Sequence, residues 1–192
     1  MIEEETKALI VIDYAHHEVH NGNSYMAHYD LTTSSANDHQ TAIGFTTPNT
    51  TKWLHLLIRI AASSPAEFSI DEVPTIDDEK GTALVAYNRD RNSSNISGIL
   101  SLASTAVAGQ ATSYTNTQIA AASYSAGTII GHYLLAGGKG PRVVGGTNRG
   151  SQEIILKQNT KYLFLMQNIG ANANLHEIHL NWYEHTNKVF DI

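Results

Sequence analysis

The sequence predicts an all-β fold: an antiparallel two-sheet sandwich of the jelly-roll kind. Three observations carry that reading. Segments with a period of two recur along the chain. The clearest is 53–60, where Leu54, Leu56, Ile58 and Ile60 alternate with Trp53, His55, Leu57 and Arg59. No window of roughly eleven residues or more shows a 3.6-residue period. Some ten short strand-like segments are divided by Asn, Gly, Ser and Pro turns, a pattern that closes two sheets over each other.

In chain order, residues 1–13 read as an N-terminal arm or edge strand carrying the apolar run Ala8 to Ile12, and 14–192 as a single β-sandwich domain. Residues 14–22 read as strand, ending in the tight-turn pair Asn21-Gly22. Tyr25, Ala27 and Tyr29 then share a face, 34–40 is a polar loop, and 42–46 is a short strand leading through the Pro48-Asn49 turn into 53–60. Phe68 and Ile70 oppose Ser69 and Asp71, an acidic turn follows at 74–81, and 83–87 is another strand. Residues 88–95, all polar, read as an exposed loop. From 98 to 131 small residues dominate and element boundaries blur, but 129–135 reads as strand. A Gly-rich loop spans 137–150. Segments 153–157 and 161–168 read as a pair around Gln158-Asn159-Thr160. The last strand sets Ile178, Leu180 and Trp182 against Glu177, His179, Asn181 and Tyr183.

Composition narrows the function classes. The chain has 192 residues, 42% hydrophobic, enough for an independent core. Twelve Lys and Arg stand against 18 Asp and Glu, for a net charge of −6, so no nucleic-acid partner is expected. The absence of cysteine removes disulfides, thiolate metal sites and cysteine catalysis. No apolar run approaches the roughly 18 residues of a membrane span, and the acidic N-terminus does not read as a secretory signal. The expectation is a soluble product made in the cytoplasm, with no membrane partner. Sequons at Asn49, Asn92 and Asn95 then read as turn chemistry.

The motifs that could carry chemistry fall short of their templates. His16, Glu18 and His20 would share one strand face, but a zincin needs H-E-x-x-H on a helix, and the H-E-x-H at 176–179 splits its two His between faces. The spacings are four at His16/His20 and three at His176/His179, so a cupin pattern is not met. The Gly-rich loop lacks the phosphate-loop signature and reads as a mildly basic surface loop whose Lys139, Arg142 and Arg149 contrast with an acidic chain. No G-x-S-x-G elbow is present, and Asp77-Asp78-Glu79 reads as a solvated turn. Trp53 and Trp182 suit packing positions better than a sugar platform. No catalytic, metal or cofactor residue is therefore expected. The face of Trp53, His55, Leu57 and Arg59 is unusually apolar for a solvent face. It is expected to be covered by other parts of the chain or by a neighbouring subunit.

Three blocks together carry a resemblance: 16–22 (HHEVHNG), 47–55 (TPNTTKWLH), and 153–162 (EIILKQNTKY) with 182–186 (WYEHT). The arrangement resembles head decoration, or cement, proteins of tailed bacteriophages, over nearly the whole chain apart from 61–150. The resemblance implies a non-enzymatic homotrimer that binds the major capsid protein on the virion surface and stabilises the head, with Trp53, His55, Leu57, Arg59, Lys139, Arg142 and Arg149 as interface candidates. The alternative is a glycan- or receptor-binding virion protein on the same sandwich, and a third reading is a metal-dependent jelly-roll enzyme.

Overall fold

A computed structural model describes residues 14–103, 105–136 and 153–186. The proposed arm at 1–13 and the basic loop with Lys139, Arg142 and Arg149 lie outside the described residues.

The chain runs α1 (Tyr14–His20), β1 (Ser24–Ser35), β2 (Gln40–Thr46), β3 (Lys52–Ala62), β4 (Ala66–Glu72), β5 (Thr82–Val85), β6 (Tyr87–Asn88), β7 (Gln110–Tyr114), α2 (Asn116–Ala121), β8 (Thr128–Leu135), β9 (Ile154–Leu156), β10 (Lys161–Asn168) and β11 (Asn174–Thr186). One sheet has the order β6-β1-β11-β3-β9 and the other β5-β7-β2-β10-β4-β8. Every paired neighbour is antiparallel.

Early strands lie beside late ones: β1 beside β11, β2 beside β10, β3 beside β9 and β4 beside β8. That is one long antiparallel ribbon rolled into two facing sheets, the jelly-roll topology. The 73–127 insertion, between β4 and β8, extends both sheets: β6 is added beside β1, and β7 and β5 are added beyond β2.

The period of two does what it predicts. Leu54, Leu56 and Ile60 of β3 face Tyr25 and Ala27 of β1, Ile178, Leu180 and Trp182 of β11, and Phe45, Phe68, Ile70 and Phe164 from the opposing sheet in one buried cluster. β10 is buried on both faces. Tyr162, Phe164 and Met166 enter the main core. Leu163 and Leu165 enter a second core with Leu102, Tyr114, Ile119 and Ala122, supplied by the insertion. The insertion thus covers the outer face of the six-stranded sheet, which the small-residue composition of 98–131 concealed.

A buried carboxylate ties that insertion to the last strand. Glu184 accepts hydrogen bonds from the Ser97 hydroxyl (2.5 Å), the Gly98 N–H (3.0 Å) and Trp182 Nε1–H (3.1 Å). All polar capacity around the Trp182 ring edge is used, as buried polar groups require.

Four expectations are corrected. Residues 14–20 are helix, with no strand face for His16, Glu18 and His20 to share. Asn21-Gly22 closes that helix: the Gly22 N–H bonds Val19 O, the Asn23 N–H bonds Glu18 O, and Gly22 has φ +67°, a Schellman cap in place of a hairpin turn. β9 and β10 are not a pair but belong to different sheets. Asn88 is buried, because its side-chain amide donates to Gly22 O and Asn95 O and staples the loop to the cap of α1. Beyond these four, β11 is the central strand of the five-stranded sheet and β3 lies one strand from its edge.

Candidate functional site

The outer face of the five-stranded sheet gathers the side chains left over by the alternation. Cross-strand register sets them in rows. Trp53 stands opposite His185. His55 lies between Tyr183 and Ile155, and Ser24 follows on the far side of Tyr183. Leu57 faces Asn181, which faces Met26. Arg59 faces His179, which faces His28. Glu177 faces Asp30.

Of the sequence candidates, Trp53, His55, Leu57 and Arg59 do share this face, with different surroundings. Trp53 is 39% exposed, whereas His55 is 8% exposed. His55 is covered by its own chain: Tyr183 stacks on it at 4.6 Å between centroids, and the His185 ring lies 4.4 Å away. Leu57 is half-buried. Arg59 Nη2 is 3.6 Å from Glu177 Oε1, which also lies 3.2 Å from His179 Nε2.

The row at His55 forms a connected cluster that sequence reasoning missed. His55 Nδ1 is 2.5 Å from Glu153 Oε1, and the Tyr183 hydroxyl donates to the same oxygen at 2.9 Å. On its other side His55 Nε2 is 2.6 Å from His185 Nε2. Burial pushes the His55 imidazole below its ordinary value, against the hydrogen bond and charge of Glu153, and His185 pushes it further down. Residues 55, 153, 183 and 185 meet only through strand register, so no local motif announces them.

The strand expected at 129–135 is present as β8, and the second feature missed is that it is an exposed apolar edge. It pairs with β4 on one side and, among the described residues, with nothing on the other. Ile129, Ile130, Tyr133 and Leu134 are all exposed, Leu134 to 69%. Edge strands are usually blunted by Lys, Pro or inward charges. Thr128–Leu135, TIIGHYLL, has none of these, and that absence was the available signal. Contacts between the sheets join β1 to β2 and β11 to β2 and β10, so the sheets stack in the same order and their edges β9 and β8 run along one side. Exposed Ile155 of β9 adds to that side.

Elsewhere the candidates resolve into structure. His16 Nε2 and His20 Nε2 are 3.0 Å apart on the exposed side of α1, while Glu18 is buried and accepts from Asn23. Asp77 caps a 3-10 turn at Asp78–Lys80, and Asp78 receives Lys161 Nζ at 2.7 Å. An open cleft of about 500 Å³ beside this turn is lined by Asp78, Glu79, Ser101, Thr105, Gln110 and Thr112 among others. Trp182 is core, as expected. Among the described residues no group of three or more His, Cys, Asp or Glu is disposed to hold a metal ion, and no helix is long and apolar enough to cross a membrane.

Comparison with protein-family models, with curated proteins and with solved structures returns no match to this chain.

Proposed function

We propose that the protein is a non-enzymatic structural component of a virion, a decoration protein that self-associates as a homotrimer, binds the major capsid protein lattice and stabilises the head. The observation that carries the reading is the apolar strand β8, where Ile129, Ile130, Tyr133 and Leu134 are exposed beside a strand edge that has no partner among the described residues. Large apolar side chains exposed together on one strand mark a contact surface, and an open strand edge templates pairing. The occupant we assign to it is a second copy of the chain. The β8 edge and the Trp53–Leu57 face are different surfaces of one chain, and a contact between unlike patches is heterologous. Where the rotation closes, such contacts form rings, of which a trimer is the smallest. The resemblance of the blocks at 16–22, 47–55, 153–162 and 182–186 supplies the capsid setting. Repeated attachment through three subunits lets modest single contacts hold a shell.

Two measurements test this. Light scattering on the purified full chain is expected to give three times the monomer mass, and Leu134→Lys with Ile130→Lys is expected to give a folded monomer. Cryo-electron microscopy of the particle is expected to show the sandwich on the capsid exterior. A protein abundant in infected cells and never present in virions overturns the proposal.

A second reading has one observation in its favour. Trp53 is partly exposed on the sheet face, where its ring offers a stacking surface for a glycan. That reading requires retention on a polysaccharide that Trp53→Ala abolishes, with the oligomer unchanged.

A further inference from the structure

We infer that His55 and His185 form a binding site for a divalent transition-metal ion of the imidazole-preferring kind, Zn²⁺ or Ni²⁺, coordinated through their facing Nε2 atoms.

The argument starts from the hydrogens. The carbonyl oxygen of Thr186 only accepts, and His185 Nδ1 lies 3.0 Å from it, so His185 carries its proton on Nδ1. Ionised Glu153 also only accepts, and His55 Nδ1 lies 2.5 Å from it, so His55 carries its proton there too. In the neutral state both Nε2 atoms are therefore bare lone pairs, and they point at each other across 2.6 Å. Two acceptors at that distance repel. The arrangement needs a positive charge between them, and two neutral imidazoles with converging lone pairs are a chelate for a metal ion.

The surroundings match what metal-binding histidines require. Each ring's second nitrogen is held by an acceptor, one carboxylate and one backbone carbonyl, which fixes tautomer and ring plane. Glu153 is itself held by the Tyr183 hydroxyl at 2.9 Å, and Tyr183 stacks on His55. At ligand distances of about 2.0–2.1 Å, two nitrogens on one tetrahedral ion stand roughly 3.3 Å apart. A small outward turn of the partly exposed His185 ring supplies that gap, while His55 stays in place. No proton has to leave either ring, and among the described residues no third His or carboxylate joins the pair, so water can fill the other coordination positions. The His16/His20 pair on α1 makes a useful contrast. Its Nε2 atoms also face each other, at 3.0 Å, but both rings are exposed and no described residue holds their Nδ1 atoms.

The test uses the untagged full chain, stripped with chelator, in a His16→Gln/His20→Gln background that removes the helix pair. Isothermal titration with Zn²⁺ is expected to give one saturable site per chain. His185→Gln is expected to lower its affinity at least tenfold. Glu153→Gln, which leaves both ligands in place, is expected to lower it about tenfold through loss of ring positioning. Trp53 gives a second readout that needs no ligand variant. It stands across the strand pair from His185, so bound Ni²⁺ should quench its emission and Zn²⁺ should restore it. No saturable Zn²⁺ binding in the background variant means the pair shares a proton instead, and the inference fails. Binding or quenching that persists unchanged in His185→Gln also overturns it.

Discussion

Thr41 Oγ1 and His176 Nδ1 lie 3.0 Å apart, joining β2 of one sheet to β11 of the other inside the sandwich. Both residues are buried, and among the described residues His176 Nε2 has no partner. Burial, with His39 nearby adding charge of the same sign, pushes the His176 imidazole down from 6.5 to about 4. Above pH 6.5 the ring is neutral whether the chain is folded or not, and stability does not depend on it. As pH falls from 6.5 towards 4 the unfolded chain takes a proton that the native chain refuses. Stability therefore drops across that window, by an amount on the order of 3 kcal/mol at its acid end. Urea midpoints at pH 7, 5 and 4 should fall in that order. His176→Gln should flatten the trend, and an equal slope in the variant would count against this account.

Glu184 is expected to be among the least replaceable polar residues. Glu184→Ala leaves the Ser97 hydroxyl and the Gly98 N–H without their acceptor in a buried site, and takes one of the two acceptors of the Trp182 indole N–H, which keeps Ser97 Oγ. A buried orphaned donor costs about 1–3 kcal/mol, so the variant should lose several kcal/mol in denaturant unfolding. Ser97→Ala keeps the carboxylate served by two other donors but takes the Ser97 hydroxyl away from the buried Ile99 N–H, and should cost about 1–3 kcal/mol.

Gly22→Ala should destabilise by about 1–2 kcal/mol from backbone conformation alone, because Gly22 sits at φ +67°. An added Cβ also overlaps the Ser93 hydroxyl. The Ser93 Cβ lies 2.9 Å from that position as well, so in a double-mutant cycle Ser93→Gly should recover the second part and leave the first. Thermal melts of the four variants decide this, and strictly additive effects would show that the overlap relaxes without cost.

Leu57→Asp places a charge in the middle of the outer sheet face, between the row of His55 and the row of Arg59. Self-association should weaken while the β-sheet circular dichroism persists. An unchanged oligomer together with unchanged stability would remove this face from the interface.

What the sequence revealed depended on one-sided burial. Strands with a wet face and a dry face, such as β3 and β11, show the period of two, and their inward residues are the ones it names. β10 alternates too, but both its sets are buried, so its residues did not disclose the second core on the far side. That cover is built from irregular chain at 98–103 and 105–109 and from a six-residue helix, lengths at which a 3.6 period cannot be seen. The helix did have a local signature, the capping box of Thr115 and Gln118. α1 was hidden for a related reason: it has seven residues, and its closing Asn-Gly suits a helix cap as well as a hairpin. Of the His55 cluster, only His55 was singled out. Its partners lie 98 and 130 residues away along the chain, and register alone unites them.

The central place of β11 has a consequence for how the protein is made. β11 separates β1 from β3, and it holds its own sheet together. The bond from Ser24 to Trp182 spans 158 residues. While the ribosome is still synthesising the chain, Tyr25, Leu54 and Leu56 have no finished sheet to enter. The roll closes only once residues 174–186 have left the exit tunnel. Loop closure over such distances is slow, and apolar strands left waiting are prone to pair with the wrong neighbour. Nascent chains stalled before residue 174 should therefore be protease-sensitive throughout the five-stranded sheet and should recruit holding chaperones, whereas release of the last strand should protect both sheets in one step.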